Sequence, residues 1–340
     1  MTKKRIIAVV LSVIMLFLSA YVAVRTNEIL MRKTSRNRMQ NLIEGETNKD
    51  ILFVGTSHIM DGVIPAELWN AYGLTSYVLC GEYNDMDRNV PMLRLALQYT
   101  KPSLVVLDVD NYWEKSPAEN TLNGYHEYAD AFPLTPEKIK TTLALYPDKE
   151  SRTEILFPIL RYHDRWKDLS RGDFRKKGSD DYLKGYEFSA DVQEVELYET
   201  VPKEEGILLE DAYGVTAIES FIDECRNRGI EVLLVTIPFS ANAEEQAYLQ
   251  GIHRLAEKKQ VAYLNLIAEE GLVSGETDFR DEGHLNVFGA EKITEYIGAY
   301  IQKNYDVPVR NKEIDYLKEW DADYLDYQEH KENALSEMDD

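Results

Sequence analysis

Five short apolar runs, rich in β-branched residues, constrain this fold more than any other feature. They are "ILFVG" at 51–55, "SYVLC" at 76–80, "SLVVLDV" at 103–109, "EVLLVTI" at 231–237 and "VAYLNL" at 261–266. Nearly continuous apolar runs of this length are what strands buried on both faces require. Helical patterns lie between them. Ile218, Phe221, Ile222 and Cys225 share one face ahead of Gly229, where a C-terminal cap is expected. Tyr248, Leu249, Ile252, Leu255 and Ala256 form a second stripe behind the capping pair Asn242 and Glu245. Ile293, Ile297 and Ile301 form a third behind Asn286. Strands alternating with such helices predict an α/β fold, a five-stranded parallel sheet with helices on both faces.

The rhythm breaks between Tyr112 and about Glu205, a stretch too long for a loop and without a clear buried strand. Helices such as Ser151 to Leu169 are expected there, forming a lid or side wall. The last thirty residues are strongly acidic, yet Tyr316, Trp320, Tyr324 and Tyr327 recur at nearly helical spacing. A docked helix and a solvated tail both fit that pattern. The organisation read from these features is an N-terminal segment 1–25, a polar stalk 26–50, a domain 51–310 with an insertion at about 112–205, and an acidic tail 311–340. At 340 residues and 44% hydrophobic content, the chain can bury one large core or two smaller ones.

Ile6 to Val24 runs nineteen residues without a charge, between Lys3, Lys4 and Arg5 on one side and Arg25 on the other. As a helix it spans roughly 28 Å, enough to cross a bilayer core. A cleaved signal peptide is the alternative, but the candidate cleavage sites place Tyr21 before Ala23 or Leu18 before Ala20, which favours an uncleaved anchor. Arg25, Arg32, Lys33, Arg36 and Arg38 outnumber the basic residues before the run, and by the positive-inside rule they place the C-terminal side of the run in the cytoplasm. The net charge of −22 argues against nucleic acid, or an anionic membrane surface, as a partner of the soluble part. Cys80 and Cys225, the only cysteines, make neither a framework of bridges nor a metal-ligand pair.

In a parallel α/β sheet ligands bind beyond the carboxyl ends of the strands. The residues there are Thr56, Ser57 and His58 after the first run, Gly81 and Asn84 after the second, and Asp110 and Asn111 after the third. "TDFRDEGHLNVFGA", with Asp281 and His284, follows the fifth. A serine needs a base to take its proton, and a histidine serves when a carboxylate fixes its tautomer. Asp281 and His284, three apart at a helix entrance, have the spacing for that pairing, with the second ring nitrogen directed toward Ser57. The backbone N–H groups of Ser57 and Gly81 and the amide of Asn111 are candidate oxyanion donors. Taken singly, "GTSH" is more often a turn with a helix cap, and D-x-x-H more often a surface pair. Their joint placement at the ends of strands of one sheet is what favours chemistry. His163, in "RYHDRW", reads either as a site residue or as a hydrogen-bonded corner of a helix, with the second favoured. His58 beside Asp61 lacks a third ligand, and "DVDNYWE" lacks the glycine and spacing of a calcium loop, so neither metal nor cofactor is expected.

These blocks resemble the SGNH/GDSL hydrolase superfamily: "GTSH" with Ser57 as nucleophile block, "LCGEYND" with Gly81 as glycine block, "VDNY" with Asn111, and "DEGH" with Asp281 and His284. Thr56 stands where that family has aspartate, and "VDNY" lacks the glycine of the asparagine block, which makes Asn84 a rival to Asn111. "VGTSHIMDGVIPAELWNAYG", "FPILRYHDRW" and "DEGHLNVFGAEKIT" resemble more closely the membrane-anchored SGNH-like proteins of bacterial envelopes. The resemblance covers about Asp50 to Val309. It implies a three-layer flavodoxin-like fold and a serine esterase or O-acyltransferase acting on acyl groups of an exopolysaccharide or cell-wall polymer, or on teichoic-acid D-alanyl groups. It also implies a single-pass protein of the cell membrane with an extracytoplasmic domain and a membrane-bound O-acyltransferase as partner. The alternative is a non-catalytic accessory subunit that binds polysaccharide or that acyltransferase.

Overall fold

The strands form where the apolar runs predict them: β1 Ile51–Gly55, β2 Ser76–Cys80, β3 Leu104–Asp108, β4 Glu231–Thr236 and β5 Ala262–Asn265. All pair in parallel, in the order β2-β1-β3-β4-β5. The order reverses between β1 and β3, so the crevice beyond their carboxyl ends is the topological switch point where open α/β sheets bind ligands. The computed structural model describes residues 3–31, 35–45, 48–174, 181–310 and 317–338; Arg32, Lys33 and Tyr316 of the sequence reading lie outside them.

The α-helices, in chain order, are α1 Lys3–Met31, α2 Ser35–Glu44, α3 Ser57–Gly62, α4 Pro65–Tyr72, α5 Asn89–Ala96, α6 Ala118–Ala129, α7 Pro136–Leu145, α8 Lys149–Leu156, α9 Ile159–Tyr162, α10 Tyr213–Asn227, α11 Ala243–Lys259, α12 Val287–Asn304 and α13 Lys318–Met338. Because strand side chains alternate, the sheet feeds two cores. Leu52, Val54, Val105 and Leu107 meet Leu93 of α5, Ile218 and Phe221 of α10, and Ile252 of α11. Ile51, Phe53, Leu104 and Val106 meet Leu68 of α4 and Ile293, Ile297 and Ile301 of α12 on the other face. These side chains are fully buried, and each contributes about 1.5–3 kcal/mol. The predicted caps are present. Asn242 and Glu245 close a reciprocal capping box, and Asn286 accepts from the Phe288 and Gly289 N–H groups. Gly229 follows α10 at φ 71°, where a side chain would be strained.

Two segments differ from the sequence reading, and a third settles between the two alternatives it left open. Ser151 to Leu169 is not one helix: α8 ends at Leu156, and α9 and a 3-10 turn at His163–Asp168 follow. Pro158 lacks an N–H and pushes Phe157 out of helical geometry, to φ −130° and ψ 70°. Residues 35–44 are no free stalk, because Met39 and Leu42 of α2 are buried against the domain. The acidic C-terminal segment is a docked helix: Trp320 stacks on Trp69 of α4, and Tyr327 is buried. The Lys184 ammonium meets the Asp323 carboxylate in a buried ion pair beneath the Trp320 ring. α1 is long and apolar enough to cross a membrane, and Ile6 to Val24 is exposed along its length.

Candidate active site

β1 ends at Gly55, and the chain turns at Thr56 directly into α3. Thr56 is the N-cap, its hydroxyl accepting from the His58 N–H. Ser57 is therefore the first residue of the helix, set at the sheet's carboxyl edge above the switch point. The loop before α12, a helix that packs beside α3 on the same face of the sheet, brings Asp281 and His284. His284 Nε2 lies 2.8 Å from Ser57 Oγ, and His284 Nδ1 lies 2.8 Å from Asp281 Oδ1. Asp281 Oδ1 also accepts the Gly283 N–H at 2.9 Å, which fixes the carboxylate. Burial pushes the Asp281 carboxyl up, but the Gly283 N–H, His284 and Arg280 outweigh it and hold the group below its ordinary range. Burial, with the adjacent His58, holds His284 below the ordinary histidine value even though Asp281 pulls it upward. The imidazole is thus the free base at neutral pH.

A second histidine system stands against the first. His58 Nδ1 lies 2.9 Å from Asp110 Oδ2, and its ring meets the His284 ring edge-on at 5.6 Å between centroids. Asp110 and Asp108, both fully buried at the end of β3, also approach the Thr56 hydroxyl. Burial would neutralise His58, but Asp110, Asp108 and Asp61 outweigh it and push its pKa up to about 9. Burial and the neighbouring Asp110 push Asp108 up, whereas His58, Asp108 and Thr56 lower Asp110 against the effect of its own burial. Within the cluster the positive charge of His58 is thus favoured, with the proton held more tightly on Asp108 than on Asp110. His58, Asp108 and Asp110 bring potential ligand atoms within 4.8 Å of one another. The His58–Asp61 pair considered from sequence does not form: Asp61 Oδ2 instead takes Arg280 at 3.2 Å.

Ser57, His58, Asn84, Asp110, Asn111 and His284 line one cavity of about 160 Å³, together with Tyr83 and Tyr213. Asn111 adopts φ 50°, which asparagine tolerates; its amide donates to Asp110 Oδ2 at 3.2 Å and keeps a second hydrogen for the cavity. The Asn84 amide donates to Gly55 O at 3.3 Å and to Asn89 Oδ1 at 2.5 Å, so it is engaged within the protein. Gly81 is not among the lining residues. It packs on the Gly124 carbonyl of α6, where a Cβ would stand 2.5 Å from that oxygen. His163 is exposed on the surface with Nδ1 on Leu160 O at 2.8 Å, outside the cavity and not in a packed corner. The Asp108–Asp110 pair went unassigned in the sequence reading. Its signal is two acids two residues apart at the end of a strand, which the 2-1-3 strand order sets beside Thr56–His58.

No family model matches the chain, and no curated protein matches it. Among solved structures it is similar to a Bacteroides fragilis protein assigned as an acylhydrolase. The identity is 13%, the match covers 79% of this chain and 95% of that one, and the TM-score is 0.36. So distant a likeness leaves the functional reading to the geometry.

Proposed function

We propose that the chain is a membrane-anchored, SGNH-like serine esterase or O-acyltransferase that acts on small acyl groups, most simply acetyl, of an envelope polysaccharide. The observation that carries this reading is the Ser57–His284–Asp281 relay, with both contacts at 2.8 Å, at the mouth of a cavity at the switch point. Ser57 Oγ attacks the acyl carbonyl while its proton passes to His284 Nε2; Asp281 holds the ring and steadies the imidazolium. The Ser57 N–H and the free amide hydrogen of Asn111 are the donors for the oxyanion. As the tetrahedral intermediate collapses, His284 returns the proton to the departing alkoxide, leaving an acyl-serine. A water or a sugar hydroxyl, deprotonated by His284, then attacks that ester and releases Ser57. Water gives deacylation and a sugar hydroxyl gives transfer.

The cavity size supports a small acyl group. Its 160 Å³ is close to the size of a cavity that holds benzene, so it admits an acetyl or a somewhat larger acyl group. Tyr83, half exposed, and Tyr213 offer aromatic faces suited to a sugar ring. The exposed apolar α1 supports anchoring. An extracytoplasmic domain, for which the family resemblance is given more weight than the basic residues after α1, and a membrane-bound O-acyltransferase partner complete the proposal, on that resemblance alone.

The test is turnover of a small activated acetyl ester by the full-length chain in detergent, beside Ser57→Ala. The variant is expected to lose at least about a thousandfold in kcat/KM. Equal turnover in both overturns the assignment.

A further inference from the structure

The end of α1 is not free. Ile6 to Val24 is exposed, but Leu30 and Met31 are buried, because α9 and the 3-10 turns His163–Asp168 and Arg171–Phe174 pack against the helix there. Arg165 ties the junction: its guanidinium donates to the Leu30 carbonyl and pairs with buried Asp173 at 2.9 Å. These same elements carry large apolar side chains that nothing within the described residues covers. Leu160, Trp166 and Phe174, with Phe157 just ahead of them, are each more than half exposed. Trp69 and Trp320 are buried and Trp113 is partly buried, so Trp166 is the tryptophan presented to the outside.

The depth of this patch is set by the anchor. Met31 lies six residues past Arg25, the first charge after the apolar run, or about 9 Å along the helix axis. The headgroup layer is roughly 5–8 Å thick on each side of the hydrocarbon core. Leu30 stands about 7.5 Å past Arg25 and Met31 about 9 Å, so elements packed on the last turns of α1 stand at the outer edge of the headgroup layer, which their long aromatic and basic side chains can enter. The local charge agrees. Residues 157–174 hold four basic side chains against three acids, and Arg25 to Arg38 holds five against one, in a chain of net charge −22. The overall negative charge disfavours anionic headgroups over the rest of the domain, but not at this face.

We propose that Phe157, Leu160, Trp166 and Phe174 seat in the interfacial layer of the bilayer that α1 crosses, so that the domain lies against the membrane surface. The inference rests on the reading of α1 as an uncleaved span. It makes the helical insertion a membrane-facing foot and fixes the orientation of the Ser57 cavity relative to the lipid.

The test reconstitutes the full-length chain into phosphatidylcholine vesicles with acyl chains brominated close to the headgroup, and into plain ones. The emission difference between wild type and Trp166→Phe isolates Trp166. Bromolipid is expected to reduce that contribution at least about twofold, because a seated indole contacts the upper acyl chain. Leu160→Asp, at an exposed position that the core does not need, is expected to restore much of it. If the chain floats with the vesicles while Trp166 is unaffected by bromine and fully open to aqueous acrylamide, the inference is overturned, and the patch belongs to a protein partner. If the chain does not float, the anchor reading itself fails.

Discussion

Replacing His58 by Gln probes the electrostatics of the site without touching Ser57, His284 or Asp281. Gln keeps a donor for Asp110 but removes the positive charge that Asp110 and Asp108 sustain on the imidazole, against its burial, up to about pH 9. The two rings stand 5.6 Å apart. Two unit charges at that separation repel by about 3 kcal/mol at an effective dielectric of about 20, and by about 0.7 kcal/mol in bulk water. One pKa unit is about 1.4 kcal/mol, so the His284 pKa rises by roughly 0.5 to 2 units in the variant. The sign follows from the role of the base: His284 works unprotonated, so turnover falls as the pH drops through its pKa. In the wild type burial and His58 hold that pKa below the ordinary histidine value, and turnover persists into mildly acidic solution. The groups facing His284 are Asp281, Arg280 and His58; of these only His58 changes, and the acid limb must move to higher pH. The assay is kcat/KM against pH for a small acetyl ester. A folded His58→Gln protein whose acid limb coincides with that of the wild type refutes the reasoning.

Two further substitutions test how the scaffold holds the site. Gly124→Ala would put a Cβ 1.7 Å from the Glu82 carbonyl oxygen, where backbone stands on both sides. It should lower stability by about 1–3 kcal/mol or more and displace the Gly81–Asn84 loop, read as a lower melting temperature together with reduced turnover. Lys184→Met breaks the buried pair with Asp323 and is expected to cost about 3–5 kcal/mol, whereas an exposed control, Lys203→Met, stays close to wild type. Thermal unfolding in detergent, followed by circular dichroism, checks both.

The sheet was legible because β1 to β4 are buried on both faces almost throughout and so wrote themselves as nearly continuous apolar runs, and β5, half-buried on one face, still kept most of that pattern. Asn242, Glu245 and Asn286 were legible as caps because their work is local, done with backbone two or three residues away. Asp281 and His284 could be paired for the same reason. The contact of His284 with Ser57, 227 residues apart, followed only from placing both at the ends of strands of one sheet. What stayed hidden depends on contacts that no local pattern records. Asp108 reads as an ordinary strand-end acid until the parallel pairing of β1 with β3 sets it beside Thr56 and His58. The docking of α13 could not be chosen over a solvated tail, because an acidic helix with a few aromatics looks the same in both states; the deciding partners, Trp69 and Lys184, lie far away in sequence. Gly81 looked like an oxyanion donor from its place after β2, but the close approach of α6 at Gly124 uses that glycine for packing.

The central claim is that Ser57 becomes acylated with His284 as its base. The direct measurement is the intact mass of the full-length protein after brief reaction with an activated acetyl ester near neutral pH, followed by an acid quench that protonates His284 and halts deacylation, and then by peptide mapping. The account predicts one acetyl group per chain on the peptide carrying Ser57, and none in Ser57→Ala or His284→Ala. Acetylation that is absent in the wild type, or that persists unchanged in Ser57→Ala, would contradict it.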